Sequence, residues 1–257
     1  MAENYSSGSC AGILYVVGTG PGSLDYVTPA ARGAIEKSDV IIGYRTYLEL
    51  IEPLLENKSV ISSAMMQEVD RVKKAFEITE SGKNVSLISG GDPGIYAMAG
   101  LAFDIAKKLN LQTRIEIIAG IAALNSCAER LGAPLMHDFA TISLSDLLTP
   151  WKVIEKRLEA AASADFVIVI YNPKSKKRNW QLDTAVKIIR RYRQDHTPVG
   201  IVRASTRADE TINITTIDRF DSALVDMQST VIFGNSKSYI WKNKMVTPRG
   251  YLDKYDL

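Results

Sequence analysis

Residues 15–23 read YVVGTGPGS, an apolar run that stops in three closely spaced glycines, Gly18, Gly20 and Gly22. The run has the character of a buried strand, and the turn that follows it decides the fold. A dinucleotide fingerprint, G-x-G-x-x-G, needs its third glycine at position 23, which is Ser23. Pro21 removes a backbone donor from the turn, where a pyrophosphate cradle points successive N–H groups at its anion. The acidic residue expected to end the second strand is also displaced, because Asp39 precedes the next apolar run, VIIGY. The stretch is therefore a strand and a glycine-permitted turn that brings backbone close to something other than a pyrophosphate. A Rossmann dehydrogenase is disfavoured.

Working outward, apolar runs and helical patterns alternate. ILYVVG, DVIIGY, NVSLISGG and TRIEIIAG read as strands. Between them TPAARGAIEKS, with Thr28 as N-cap and Pro29 at the first helical position, EVDRVKKAFEITESG and MAGLAFDIAKKLN read as helices. TYLELIEPLL is helix or loop, broken at Pro53, and IAALNSCAERLG is a helix closed by Gly132. This rhythm predicts a largely parallel sheet covered by helices. APLMHDFATISLSDLLTPWKVI interrupts it with a short strand. The second half continues with the helix VIEKRLEAAASA, the strand DFVIVIYNP and the helix LDTAVKIIRRYR. PVGIVRAS, TINITTID and STVIFGNS then read as strands whose short links make them mixed or antiparallel. The fold class expected is two α/β lobes: residues 13–138 and 139–257, after a flexible tail at 1–12.

Composition narrows the function. The chain has 257 residues and a formal net charge of +2, so its global electrostatics select no nucleic acid or membrane. No run of apolar residues is long enough to span a bilayer, and the opening residues lack a basic stretch followed by an apolar one, which predicts a cytoplasmic protein. Two cysteines, Cys10 and Cys127, and two histidines, His137 and His196, are not in metal-ligand spacing, so no metal site is expected.

Four segments run from a strand into small residues: VVGTGPGS, LISGGDPGIYAMAG, IIAGIAALNS and VIVIYNPKSKKR. Ligands of open α/β sheets sit beyond the carboxyl ends of the strands, so these turns are the candidate site. In GGDPG, Gly90 and Gly91 permit positive φ, Asp92 can cap the turn and Pro93 stiffens it. HDFATISLSD gathers His137, Asp138, Ser143, Ser145 and Asp146 within one short segment, the candidate acid–base groups. No G-x-S-x-G elbow accompanies them, which argues against a hydrolase. KSKKR, with Arg45 and Arg203, is either a solvated basic surface or a set of carboxylate partners.

VGTGPGS…TPAA, SGGDPGIYAMAG, AGIAA and YNP resemble, in order and spacing, the tetrapyrrole methylases, and the likeness runs from about Ile13 to Tyr251. GYRTYLELI, APLMHDFATISLSDLLTPWKVIEKR, DFVIVIYNPKSKKR and TPRGY are similar to the branch that methylates C-17 of a corrin precursor, precorrin-3B or cobalt-factor III, with contraction of the macrocycle. The resemblance implies a two-lobed homodimer with its active site in the cleft between the lobes, and S-adenosylmethionine as methyl donor. It places Pro21, Gly90, Gly91, Asp92, Ile95, Ala122, Ala123, Asn172 and Ala204 at the donor. Gly18, Gly20 and Gly22 fall on the tetrapyrrole side, and Arg45, Lys174, Lys177 and Arg178 are expected to meet substrate carboxylates at the rim. The family usually has Thr or Ser where this chain has Ala122, and often Arg-Asn-Ala where it has Arg203-Ala204-Ser205. A methylase of another ring carbon and a tetrapyrrole or adenosylmethionine sensor without turnover are the alternatives.

Overall fold

The computed structural model describes residues 12–64, 66–175 and 178–255. The chain divides between Ala122 and Ala123 into two units.

In the first unit the elements are β1 (Ile13–Gly18), α1 (Pro29–Lys37), β2 (Val40–Tyr44), α2 (Arg45–Leu50), β3 (Ser59–Ser63), α3 (Glu68–Glu80), β4 (Val85–Ser89), α4 (Met98–Leu109) and β5 (Arg114–Ile118). The five strands are all parallel, in the order β3-β2-β4-β1-β5. Side chains alternate across a strand, so β1 feeds two cores. Leu14 and Val16 pack with Val72 and Phe76 of α3 and Ala99 and Ala102 of α4. Tyr15 and Val17 pack with Ala31, Ala34 and Ile35 of α1 and Leu48 of α2. Both faces are covered, which is why β1, β2 and β4 read as near-continuous apolar runs. α1 starts as expected, with the Ala31 N–H donating to Thr28 Oγ1 at 3.1 Å and Pro29 at its first turn.

The helices also set where the strands open. The chain leaves β1 toward the α1 face and leaves β4 toward the α4 face, and β1 and β4 are neighbours. Their carboxyl ends are thus a topological switch point, the place where open parallel sheets bind ligands.

The second unit holds α5 (Ala123–Leu131), β6 (Gly132–Ala133), β7 (Phe139–Ser143), α6 (Trp151–Ser163), β8 (Val167–Tyr171), α7 (Gln181–Arg190), β9 (Pro198–Arg203), β10 (Thr211–Thr216), β11 (Ser229–Phe233), β12 (Tyr239–Trp241) and β13 (Lys244–Val246). Its main sheet runs β10-β9-β11-β8-β7; β7 and β8 are parallel and the other pairs antiparallel, as the short links predicted. α6 and α7 cover one face through Ile154, Leu158, Leu182 and Ile189. A Cβ at Gly200 would lie 2.4 Å from Leu131 Cδ1, so glycine there lets α5 settle on β9. That packing, and the pairing of β6 with β13, put α5 and β6 with the second unit, whereas the sequence reading began the second lobe at residue 139.

β3, β6, β12 and β13 were not read as strands. β3, SVISS, is an edge strand with a polar face. β12 and β13 form a hairpin whose turn, Lys242 and Asn243, has φ of 45° and 58°, the left-handed pair of a type I′ turn without its usual glycine.

Candidate functional site

The first unit answers the question raised by its glycines. Gly20 and Gly91 form an antiparallel bridge, with N–H to carbonyl distances of 3.2 and 2.7 Å. A methyl at Gly18 would stand 2.7 Å from Gly120 N, Gly91 O and Pro93 Cδ, and one at Gly120 would stand 2.2 Å from Gly91 O. The loops after β1, β4 and β5 are therefore stitched backbone to backbone, at separations only glycine permits. Asp92 completes the stitch, accepting from Gly94 N–H at 2.8 Å through Oδ1 and from Gly120 N–H at 3.2 Å through Oδ2. Thr28 Oγ1 adds a bond to Ala119 O at 3.4 Å.

The first turn is itself part of the stitch. Gly18, Gly20, Pro21 and Gly22 are buried, and the space beside Gly18 is filled by protein backbone. The half-buried ligand-facing candidates are Gly90, Gly91, Asp92 and Ile95 after β4. The Tyr47 ring occupies the side of Gly90 where a Cβ would stand, 2.6 Å away. Residues 90–97, GGDPGIYA, carry one acidic and no basic side chain, a composition that suits a cationic sulfonium.

In the second unit, β7 divides the polar cluster that the sequence gathers. His137 and Asp138 precede the strand, while Ser143, Ser145 and Asp146 lie at its far end. At about 3.3 Å per residue the strand keeps the two groups well beyond contact, so they are not one acid–base set. His137 Nδ1 instead accepts from the Asp138 N–H at 2.8 Å, and both side chains are exposed. Ser143 and Asp146 join the end of β8. Ser143 Oγ accepts from Asn172 Nδ2 at 3.0 Å and from the Ser145 N–H at 3.2 Å. Asp146 accepts from Gln181 Nε2 at 2.9 Å and lies 4.0 Å from Arg178 Nε. Arg178 also donates to the Asn172 carbonyl.

Arg178 is therefore not a rim cation. It is buried, burial pulls its pKa down against the opposing pull of Asp146, and it braces Asn172, whose φ is 49°. Lys174 Nζ donates to Ser222 O at 2.8 Å, Arg45 is exposed and pairs with Glu49 at 2.9 Å, and Lys177 lies outside the described residues.

Two further positions shape the loops. α5 begins at Ala123, so Ala122 stands where a capping side chain would be, and it has none to offer. Tyr171, at the end of β8, supplies the acceptor: its hydroxyl takes the Leu124 N–H at 2.8 Å. After β9, Ala204 and Thr206 both adopt positive φ, 48° and 66°. Glu210 Oε2 holds that turn, accepting from Thr206 N–H at 2.6 Å and from Arg130 Nε at 3.0 Å. The sequence reading gave no role to Tyr171, although it opens the YNP motif, and did not single out Glu210; a helix start lacking a capping residue was the available signal for the first. Cys127 is no nucleophile: it is buried, and burial pushes its thiol up to about 11. Among the described residues no helix is long and apolar enough to cross a membrane.

A unit built on a parallel sheet whose switch point is closed by glycine stitching, and a unit built on a mixed sheet, are what the likeness in sequence predicted. The chain belongs to the tetrapyrrole (corrin/porphyrin) methylases, whose family model matches residues 13–221. It is 48% identical over 250 residues to a cobalt-factor III methyltransferase of Priestia megaterium, covering 96% of this chain and 46% of that protein. The chain thus spans about half the length of that relative. It is 45% identical over 239 residues to a probable cobalt-factor III C(17)-methyltransferase of Salmonella typhimurium, covering 93% of this chain and 99% of that one. The crystal structure of the methyltransferase CobJ superposes with a TM-score of 0.88 at 34% identity, over 92% of this chain and 100% of that one.

Proposed function

We propose that this methyltransferase transfers the methyl group of S-adenosylmethionine to C-17 of a corrin precursor, cobalt-factor III or precorrin-3B, with contraction of the macrocycle. The observation that carries the reading is the 45% identity that extends over 93% of this chain and 99% of a relative named for that carbon. The enzyme is proposed to work in the cytoplasm as a homodimer, on the resemblance alone.

The donor, when bound, supplies an already activated methyl. What the protein has to provide is alignment, a problem of lost translational and rotational freedom. The stitched turns suit that task. Gly90, Gly91, Asp92, Ile95 and Ala122 of the first unit are proposed to hold the donor, with Asp92 placing negative charge near the sulfonium. Ala123, Asn172 and Ala204 of the second unit are proposed to contact it through backbone held by Tyr171, Arg178 and Glu210. Ser143, Ser145 and Asp146 are the proposed polar groups near the reacting ring, and Ser143 is oriented by Asn172. His137 and Asp138 stand apart from them and are the weaker candidates for proton transfer.

The test is an anaerobic single-turnover incubation with methyl-labelled adenosylmethionine and cobalt-factor III, read by mass spectrometry and carbon NMR. Label on C-17 of a ring-contracted product is the expected result. Label on another carbon overturns the position, and binding of donor without transfer to either macrocycle overturns the reaction. Replacing the substrate by precorrin-3B decides which macrocycle is used.

A further inference from the structure

At the carboxyl ends of β2 and β3 the first unit has a cavity whose walls include Tyr44, Arg45, Thr46, Ser62, Ser63 and Gln67. Among the described residues no carboxylate lines it. The groups that do are hydroxyls, an amide and a guanidinium, all able to donate. Gln67 Oε1 already accepts from the Ala64 N–H at 3.0 Å, so the amide NH2 is the end available to a ligand. Gln67 is also the N-cap residue of α3, and its side chain makes no cap hydrogen bond there.

Behind this wall lies Arg71 of α3, 5% exposed. Its guanidinium donates to Ser63 Oγ and, at 2.9 Å, to Ala64 O, and meets Met98 Sδ at 3.9 Å. Among the described residues no carboxylate comes within ion-pair distance of it. Two acids are near the cavity. Glu68 acts on Arg71 from a distance and accepts from the Met66 N–H at 3.2 Å, and Glu49 is paired with Arg45. A buried guanidinium without a contacting counter-charge is costly, and its field falls on the donor-lined cavity in front of it. Burial lowers its pKa, the direction expected of a cation lacking an anion.

We propose that this cavity is a carboxylate subsite: Ser62, Thr46, Gln67 and Arg45 take the anion directly, and Arg71 acts as its buried counter-charge. On the function proposed above, on which this identification of the ligand rests, the occupant is a carboxyl side chain of the tetrapyrrole. Arg45 was expected to meet substrate carboxylates at the rim; the subsite gives it defined companions at the ends of β2 and β3.

Ser62 is exposed on an edge strand, so Ser62→Asp places a negative charge in the cavity without disturbing the core. The measurement is fluorescence titration of the full chain with uroporphyrin III, and with the same macrocycle after its carboxyl groups are converted to amides. The wild-type chain is expected to bind the acid form more tightly. Ser62→Asp is expected to weaken the acid form about tenfold, from like charges a few ångströms apart in a solvent-open site, and to leave the amide form unchanged. Arg71→Gln is expected to weaken the acid form in the same direction. Equal loss of both forms in Ser62→Asp, no loss of either, or a wild-type chain that does not prefer the acid overturns the subsite. None of these readings involves methyl transfer. A chain that passes them but methylates neither cobalt-factor III nor precorrin-3B overturns the proposed reaction and leaves the subsite standing.

Discussion

At the residue scale the decisive positions carry no side chain. Gly18 stands among backbone atoms of two other loops, which cannot swing away as a flexible side chain would. Gly18→Ala is expected to cost about 3 kcal/mol, the order of overpacking in a tight core, read as a lower midpoint in urea with an unchanged slope. Ala122 shows the converse, a missing side chain supplied from elsewhere. Tyr171→Phe should strip the acceptor from the Leu124 N–H and lower stability by about 1 kcal/mol, the worth of a helix cap. Ala122→Ser added to that variant should restore much of the loss, because a serine at the cap position accepts the same bond locally. Thermal unfolding of the single and double variants checks it; loss without rescue would show that Tyr171 acts through packing instead.

At the scale of elements, the turn after β9 is the strained one. Ala204 and Thr206 both sit in the left-handed region, each at a cost of about 1 kcal/mol or more for a residue with a Cβ. Such a turn persists only if the surroundings hold it, and Glu210 does so by accepting from the Thr206 N–H while Arg130 of α5 fixes its carboxylate. Under the proposed function, Glu210→Ala is expected to raise KM for adenosylmethionine about tenfold with kcat changed much less. Glu210→Gln, which keeps the acceptor oxygen, should recover most of that. Equal falls in kcat and kcat/KM would place Glu210 in the chemistry instead. Elements also explain what the sequence misled about. His137 and Ser145 are close in number, but an extended strand separates positions that a helix or loop could have brought together. Arg178 falls in a basic run, KSKKR, that looks solvated, yet it folds back on Asn172 and Asp146.

At the scale of the whole molecule the net charge is +2, too small to steer a polyanion from a distance. Under the proposed function, attraction of a carboxylate-rich substrate must therefore be local. Raising salt from 0.1 to 1 M, which shortens the screening length from about 10 to about 3 Å, should raise KM for the macrocycle a few-fold. KM for adenosylmethionine, proposed to be held mainly by backbone groups, should stay nearly constant. Initial rates with each substrate varied in turn check this, and equal rises in both constants would count against separate modes of binding.

What the sequence alone determined is what depends on local pattern. The alternation of apolar runs and helical periods defined the parallel first sheet, the short links marked the antiparallel strands of the second, and Thr28-Pro29 marked the start of α1. Pro21 and Ser23 counted against the dinucleotide reading before any coordinates. Order and spacing of the glycine turns were enough to name the family, because backbone approach leaves a mark that only glycine can carry. What only the tertiary structure decided is which groups meet. That Gly18, Gly91 and Gly120 close on one another, that Tyr171 caps α5, that Arg178 and Arg71 are buried and that β7 parts His137 from Ser143 are facts of long-range contact. Strands such as β3 and β12 were invisible for the same reason: an edge strand with little burial owes its conformation to its neighbour's hydrogen bonds, and that neighbour is set by the fold.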